Sequence, residues 1–372
     1  MSKMKILQFP IAASKGGITQ YIIRNWEYID KNSFLFDFAT MSKSLDFEDD
    51  LKKQGCSIYH IPVYAEEDQK GFDEAFMGIL KRGRYDAVHL HTKQWKSFRV
   101  EELAREAGVR KIIVHAHSTG VETADEEGRR KETELHQSCI RRLGEGIATD
   151  FWSCSMSASR WLYADRIPED RIVMLPNAID TDRFSYDMVE RKKMRESLGI
   201  KDSFVLGFVG RIEKVKNPDF LIELFDILHR WHPELRLLMV GDGTLREDIE
   251  RRCAAKCIGE KVIFVGRKKN VEDYMMAMDV LLLPSVFEGF PITLVEAQCA
   301  GLKCICSMGV SEETDITGNV NHIDTCNMGA WISTIEEMML LGYERVSKRA
   351  ELADKGFDIH RQIKRVEELY RE

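Results

Sequence analysis

From Lys5 to Ser307 one unit recurs: a short apolar run, a polar or glycine-rich break, and an amphipathic helical stretch. In the first half the runs are KILQFP, FLFDFAT, SIYHIPV, AVHLH, KIIVHAH and FWSCS, with helical patterns such as ITQYIIRNWEYID, FDEAFMGILKRG and VEELAREAG between them. After IVMLPNAIDTDRF a second series begins. Its strands are FVLGFVG, LRLLMVG, VIFVG, VLLLPS and KCICS, and its helices include PDFLIELFDILHRWH, LREDIERRCAAKCIG and TLVEAQCAG. Strands this short, without strict alternation, are buried on both faces, as parallel strands are. Alternating strands and helices put crossover helices on both faces of a sheet. The chain therefore reads as α/β, with two Rossmann-like doubly wound domains facing a central cleft. The expected bounds are 1–182 for an N-terminal domain and 183–353 for a C-terminal one. A terminal helical segment, 354–372, follows the second series, which allows it to cross back onto the first domain.

A length of 372 residues suits two domains, and 44% apolar with 31% charged residues describes a folded globular chain. A net charge of −7 argues against a nucleic-acid partner. No apolar run approaches the ~18 residues of a spanning helix. MSKMKILQFP begins a strand at once and reads as lacking a signal peptide, which points to the cytoplasm. The nine cysteines form no zinc-ligand spacing and read as free, mostly buried thiols; Cys253 and Cys257 are expected to share a helix face.

Open parallel sheets bind ligands at the carboxyl ends of their strands. SKGGIT, HLH, HAHS, GRIEKVKN, GDGT, GRKKN and SVFEGFPIT all fall at such ends. In SVFEGFPITLVEAQCAG a helix is expected to start near Ile292 or Thr293, offering unpaired N–H groups to a diphosphate. Gly289 lets backbone approach, Pro291 fixes the start of the helix, and Gly301 ends it. Glu296 lies about one turn in, where a ribose diol could donate to it, and Glu288 precedes the turn. The plainer reading is a helix with acids placed by its dipole. Arg211 and Lys216 can neutralise phosphates, or belong to a solvated basic loop. His89, His91, His115 and His117 invite a metal, but strand ends give the same pattern and no carboxylate or cysteine joins them. No metal site is assigned, and His117 reads as a sugar or acceptor contact. Asp180 and Asp182 suit a helix N-cap better than a metal site. GDGT lacks the full dinucleotide fingerprint.

Together these pieces resemble glycosyltransferase family 4, retaining enzymes of the GT-B fold. GGIT, HAHS, CSMSASRWLY, LPNAIDTDRF, FVGRIEKVKN, VGDG and, most specifically, PSVFEGFPITLVEAQCAGL carry the resemblance. The EGFPITLVEAQCAG and HAHS forms look most like members that build capsular and other extracellular polysaccharides. The resemblance implies that Glu296 holds the nucleotide ribose and Glu288 contacts the donor sugar. Arg211 and Lys216 would bind the diphosphate in place of a metal, so no cofactor is expected. Backbone from Gly289 through Phe290, Pro291 and Ile292 to Thr293 would cradle the distal phosphate and sugar. Gly17 would let backbone approach the donor, His117 would lie near the reacting carbon, and Arg267 would flank the base. Met308 stands where similar sequences often carry an acid. The implied reaction is retaining transfer of a hexose from a nucleoside diphosphate sugar, UDP-linked by family habit, to a hydroxyl of a glycan or lipid-linked acceptor. The charged stretch Arg129 to Arg142 is either a face for anionic lipid at the inner side of the cell membrane or a solvated helix. A sugar-nucleotide epimerase and a non-catalytic nucleotide-sugar binder remain as alternatives on the same scaffold.

Overall fold

A computed structural model of the chain describes residues 3–13, 16–121 and 126–372. Ser14 and Lys15 of the SKGGIT cluster lie outside these residues. The chain divides into two units, one formed by Met1–Ala178 with Ile359–Glu372 and the other by Ile179–Asp358.

The first unit is built on seven strands: β1 (Met4–Phe9), β2 (Phe34–Thr40), β3 (Ile58–His60), β4 (Ala87–Thr92), β5 (Lys111–Ala116), β6 (Asp150–Ser153) and β7 (Ile172–Met174). They lie in the order β3-β2-β1-β4-β5-β6-β7, and every pairing is parallel. The second unit has β8 (Val205–Val209), β9 (Arg236–Val240), β10 (Val262–Gly266), β11 (Val280–Leu283), β12 (Lys303–Ser307) and β13 (Val320–Ile323), ordered β10-β9-β8-β11-β12-β13 and again parallel throughout. In both sheets the order reverses once, between β1 and β4 and between β8 and β11. At such a point two loops leave in opposite directions and open a crevice at the strand ends.

Both faces of each sheet are covered, which is why the strands lack alternation. On the first sheet, Phe72, Phe76, Leu90 and Tyr163 belong to one buried layer, and Ile22, Trp26, Phe36, Trp152 and Tyr370 to the other. The second sheet is sandwiched likewise by layers that include Leu281, Leu294 and Cys304, and Phe208, Phe225 and Trp331. The helix Ile359–Arg371 sinks Ile363, Val366, Leu369 and Tyr370 into the first unit. Each such side chain contributes about 1.5–3 kcal/mol of burial.

All nine cysteines are free and seven are buried. Cys253 and Cys257 do not share a helix face. The helix stops at Ala255, and Cys257 sits beyond it at φ 58°, exposed. A period-based reading carries a helix one turn too far when nothing in the sequence caps it.

Candidate functional site

The second unit gathers most of the sequence-predicted site residues at one edge of its sheet. After β8 the chain enters the loop Gly210–Glu213, makes a tight turn over Lys214–Lys216, and reaches Asn217 in the left-handed conformation (φ 52°). Pro218 then opens the helix Pro218–Trp231. This loop is stitched to the one after β9. Ile212 N–H donates to Asp242 O at 3.0 Å and Leu245 N–H to Ile212 O at 3.1 Å. The Glu213 carboxylate accepts from Thr244 N–H at 2.9 Å and Thr244 Oγ1–H at 2.7 Å. Two glycines make the approach possible. A Cβ on Gly241, at φ +141°, would lie 1.8 Å from Gly210 O, and one on Gly243 2.3 Å from Ile212 O. The glycines of GDGT therefore serve the packing of these two loops. Gly241→Ala is expected to cost about 2–4 kcal/mol, read as a lower denaturation midpoint.

On the other side of the switch point, Val286 N–H donates to Val215 O at 2.8 Å and Glu288 N–H to Gly309 O at 3.0 Å. The first bond brings the loop after β11 against the cationic turn, the second ties it to the loop after β12, and Lys216 Nζ pairs directly with Glu288 Oε1. Both side chains are largely shielded, 14% and 17% exposed, so the attraction is less screened than at a surface. Arg211 is exposed at the neighbouring loop tip. The two cations thus differ: one is held by an acid and one projects outward.

The helix Ile292–Cys299 starts at Ile292, as expected, with Pro291 before it and no side chain capping it. Its first turn contains no acid, so placement by the helix dipole does not account for the carboxylates. Glu296 lies beyond that turn and is buried, 8% exposed. Carrying a buried carboxylate costs several kcal/mol unless it is compensated. Phe290 turns inward and stacks on Phe357, centroids 5.8 Å apart, which leaves its backbone as the part that can meet a ligand. Gly301, at φ +68°, ends the helix where a Cβ would strike Val346 O at 2.1 Å. Arg267 is exposed after β10, on the far edge strand, with β9 and β8 between it and β11.

Asp180 is not a helix N-cap. Its Oδ1 accepts from Asp182 N–H at 3.1 Å and Arg183 N–H at 3.0 Å, closing a turn that no helix continues. Asp182 pairs with Arg349 at 2.6 Å.

In the first unit Gly17 begins the helix Gly17–Tyr28 and is exposed. A Cβ there would meet nothing among the described residues within 4 Å, so their packing does not demand glycine. The four histidines stand on one face of β4 and β5, His91 directly opposite His115. His89, His91 and His115 are buried, and His117 is half-buried just past the end of β5. Burial, and then the neighbouring histidines, hold His89, His91 and His115 well below the usual imidazole range. His117 is pushed down to about 3 by burial and then by Lys93. The ring nitrogens of His89, His91 and His115 are close enough to hold one metal ion, but they already bond to one another, to Gln8 and to Tyr370. A neutral ladder, hydrogen-bonded among the described residues except at His115 Nε2, fits these residues better than a cation does. Sequence reasoning missed Gln8 and Tyr370, which lie 362 positions apart and are joined only by the fold.

Residues 16–178 match the family described as glycosyl transferase 4-like domain, and residues 190–356 the family of glycosyl transferases group 1. The chain is 28% identical to "Putative glycosyltransferase EpsF" of Bacillus subtilis over 97% of its length and 95% of the relative's. It is 23% identical to the UDP-Gal:alpha-D-GlcNAc-diphosphoundecaprenol alpha-1,3-galactosyltransferase of Escherichia coli, over 99% and 97%. The crystal structure of Anabaena Alr3699/HepE in complex with UDP superposes with a TM-score of 0.75 at 15% identity, covering 99% of both chains.

Proposed function

Because this chain belongs to glycosyltransferase family 4 and has the GT-B fold, we propose that it transfers a hexose from UDP-sugar to a hydroxyl of a glycan or lipid-linked acceptor, with retention of configuration and without a metal. The observation that carries this reading is the Lys216–Glu288 pair, set at the topological switch point beside the uncapped start of the Ile292–Cys299 helix. That combination offers a diphosphate a cation, free amide donors and a partial positive charge at one edge. Buried Glu296 suits a ribose diol, which can donate two hydrogen bonds to it. The E. coli relative's donor and lipid-diphosphate acceptor support the substrate classes, and with them the reading of a cytoplasmic enzyme of surface polysaccharide synthesis. Among the described residues no helix is long and apolar enough to cross a membrane. The helix Glu126–Arg142 is the candidate face for anionic lipid.

In the proposed reaction the bond between the anomeric carbon and the diphosphate oxygen breaks while the acceptor oxygen attacks from the same face. The acceptor proton passes to the departing phosphate oxygen, and UDP leaves. Preorganised donors and cations stabilise that leaving charge, each worth about 3–4 kcal/mol when well placed. Arg211 joins Lys216 in this role. Glu288 and His117 contact the sugar side, and backbone at Gly17 and Gly289–Thr293 approaches the donor.

A panel of nucleotide sugars tested by thermal shift is expected to yield one stabilising donor, and Glu296→Ala is expected to abolish that shift. Undiminished stabilisation of this variant would remove Glu296 from the ribose site. Exhaustive chelation is expected to leave transfer within about twofold of the untreated rate, because cationic side chains supply the charge a metal would. Activity lost on chelation and restored by Mg²⁺ or Mn²⁺ would overturn the metal-free reading.

A further inference from the structure

A continuous run of buried polar contacts leads from the half-buried His117 into the first unit. His117 Nε2 lies 2.9 Å from His91 Nδ1, and His91 Nε2 lies 2.7 Å from Gln8 Oε1. Gln8 Nε2 donates to Tyr370 Oη at 3.1 Å, and Tyr370 Oη lies 2.7 Å from His89 Nδ1. His89 Nε2 then lies 3.2 Å from His115 Nδ1. Gln8, Tyr370, His89, His91 and His115 are each no more than 3% exposed. They come from β1, β4, β5 and the helix Ile359–Arg371.

Counting protons gives this run a direction. A carboxamide nitrogen only donates and a carboxamide oxygen only accepts. Gln8 Oε1 faces His91, so His91 Nε2 carries its proton and a neutral His91 has a bare Nδ1. The proton on the 2.9 Å contact must then belong to His117 Nε2, which leaves His117 Nδ1 bare. On the other side, Tyr370 Oη receives from Gln8 and gives its single proton to His89 Nδ1. His89 Nε2–H then donates to His115 Nδ1, and the run ends at His115 Nε2, which has no hydrogen-bond partner among the described residues. Turning the Gln8 carboxamide over would reverse every proton on the His91 side and put a donor at His117 Nδ1. Tyr370 would have to reverse with it, donating to the turned Gln8 oxygen and accepting from His89 Nδ1–H, so the hydroxyl couples the two halves of the run and they change only together.

We propose that Gln8, His91 and Tyr370 are positioning residues that hold His117 in its Nε2–H tautomer, so that Nδ1 is a hydrogen-bond acceptor for a sugar hydroxyl. The role of that hydroxyl rests on the transferase reading; the tautomer does not. An acceptor at this place orients an O–H, whereas a donor would compete with it for the oxygen's lone pair.

The test is ¹⁵N spectroscopy of the full chain labelled at histidine, without substrate, with His117 assigned by the signals lost in His117→Gln. In the native chain Nε2 is expected to be pyrrole-type and Nδ1 pyridine-type. In Tyr370→Phe the hydroxyl that couples the two halves is gone, and His117 is expected to show mixed tautomers. The transfer kcat of that variant is expected to fall about tenfold with the donor KM within twofold, since a wrong tautomer strikes the chemical step rather than ground-state binding. Gln8→Met removes the carboxamide itself and is expected to shift the tautomer in the same way, which guards against a folding defect peculiar to position 370. A protonated Nδ1 in the native chain, or an unchanged His117 tautomer in both folded variants, overturns the proposal. An Nε2–H tautomer in a chain that transfers no sugar overturns the transferase reading and the hydroxyl's role, and leaves the positioning intact.

Discussion

Lys216→Ala is expected to lower kcat/KM for the nucleotide sugar by about 10³-fold, the upper end of the cost of removing one preorganised group that meets developing charge. Two effects add. The cation that would meet the diphosphate disappears, and the largely shielded Glu288 carboxylate it held is left uncompensated at the same edge. An approaching diphosphate then meets a like charge in place of a neutralised pair. The second effect is separable. In Lys216→Ala combined with Glu288→Gln the repulsive charge is gone, and UDP is expected to bind about tenfold more tightly than to Lys216→Ala alone, as measured by calorimetry. UDP affinity within threefold of the native value in Lys216→Ala would show that this lysine does not meet the diphosphate.

The second large effect is on stability. Four imidazoles in the first unit stay neutral because burial keeps their folded-state values far below the ordinary one. Below about pH 6.5 the unfolded chain takes protons on these rings and the folded chain does not, so the unfolded state is favoured as pH falls. Each ring contributes about 1.4 kcal/mol of lost stability between pH 7.5 and pH 5.5, and the four together about 5.5 kcal/mol. Glu101 works the other way. Burial pushes its carboxyl up to about 7, so it is protonated in the fold before it is in the unfolded chain. Acidification over the same window returns about 2 kcal/mol through it. A net loss of about 3.5 kcal/mol is expected, visible as a lower urea midpoint at pH 5.5. Equal midpoints at the two pH values would mean that the histidine ladder takes up protons in the folded state.

The architecture was legible because it is written in burial. Runs such as VLLLPS and KCICS coincide with β11 and β12, since a strand covered on both faces leaves a continuous apolar signature. The short outer strands β7 and β13 were harder to see. IVM has only three residues, and VNHI carries polar side chains because an edge strand meets solvent along one side. The Glu288 to Glu296 stretch could be read because its parts are local: strand end, turn and helix start follow one another in sequence. Its partnership with Lys216 rests on the crossing of two loops 72 positions apart, which only strand order creates. The histidines were visible as a face but not as a circuit. Period two shows that His89 and His91 share a side of the sheet; it says nothing of a glutamine on β1 or a tyrosine near the end of the chain. Asp180 was misread because an aspartate that closes a turn and one that caps a helix accept the same two backbone protons.

The helix Ile359–Arg371 closes the first unit only after the whole of the second has been made. On the ribosome, at roughly 5–20 residues per second, the first sheet therefore waits on the order of ten seconds or more with the Trp26, Phe36 and Trp152 layer uncovered by its final segment. The second unit is contiguous and suffers no such delay. The later-synthesised half is thus free to mature first, and during that interval the nascent first half is the part of the chain most in need of a chaperone.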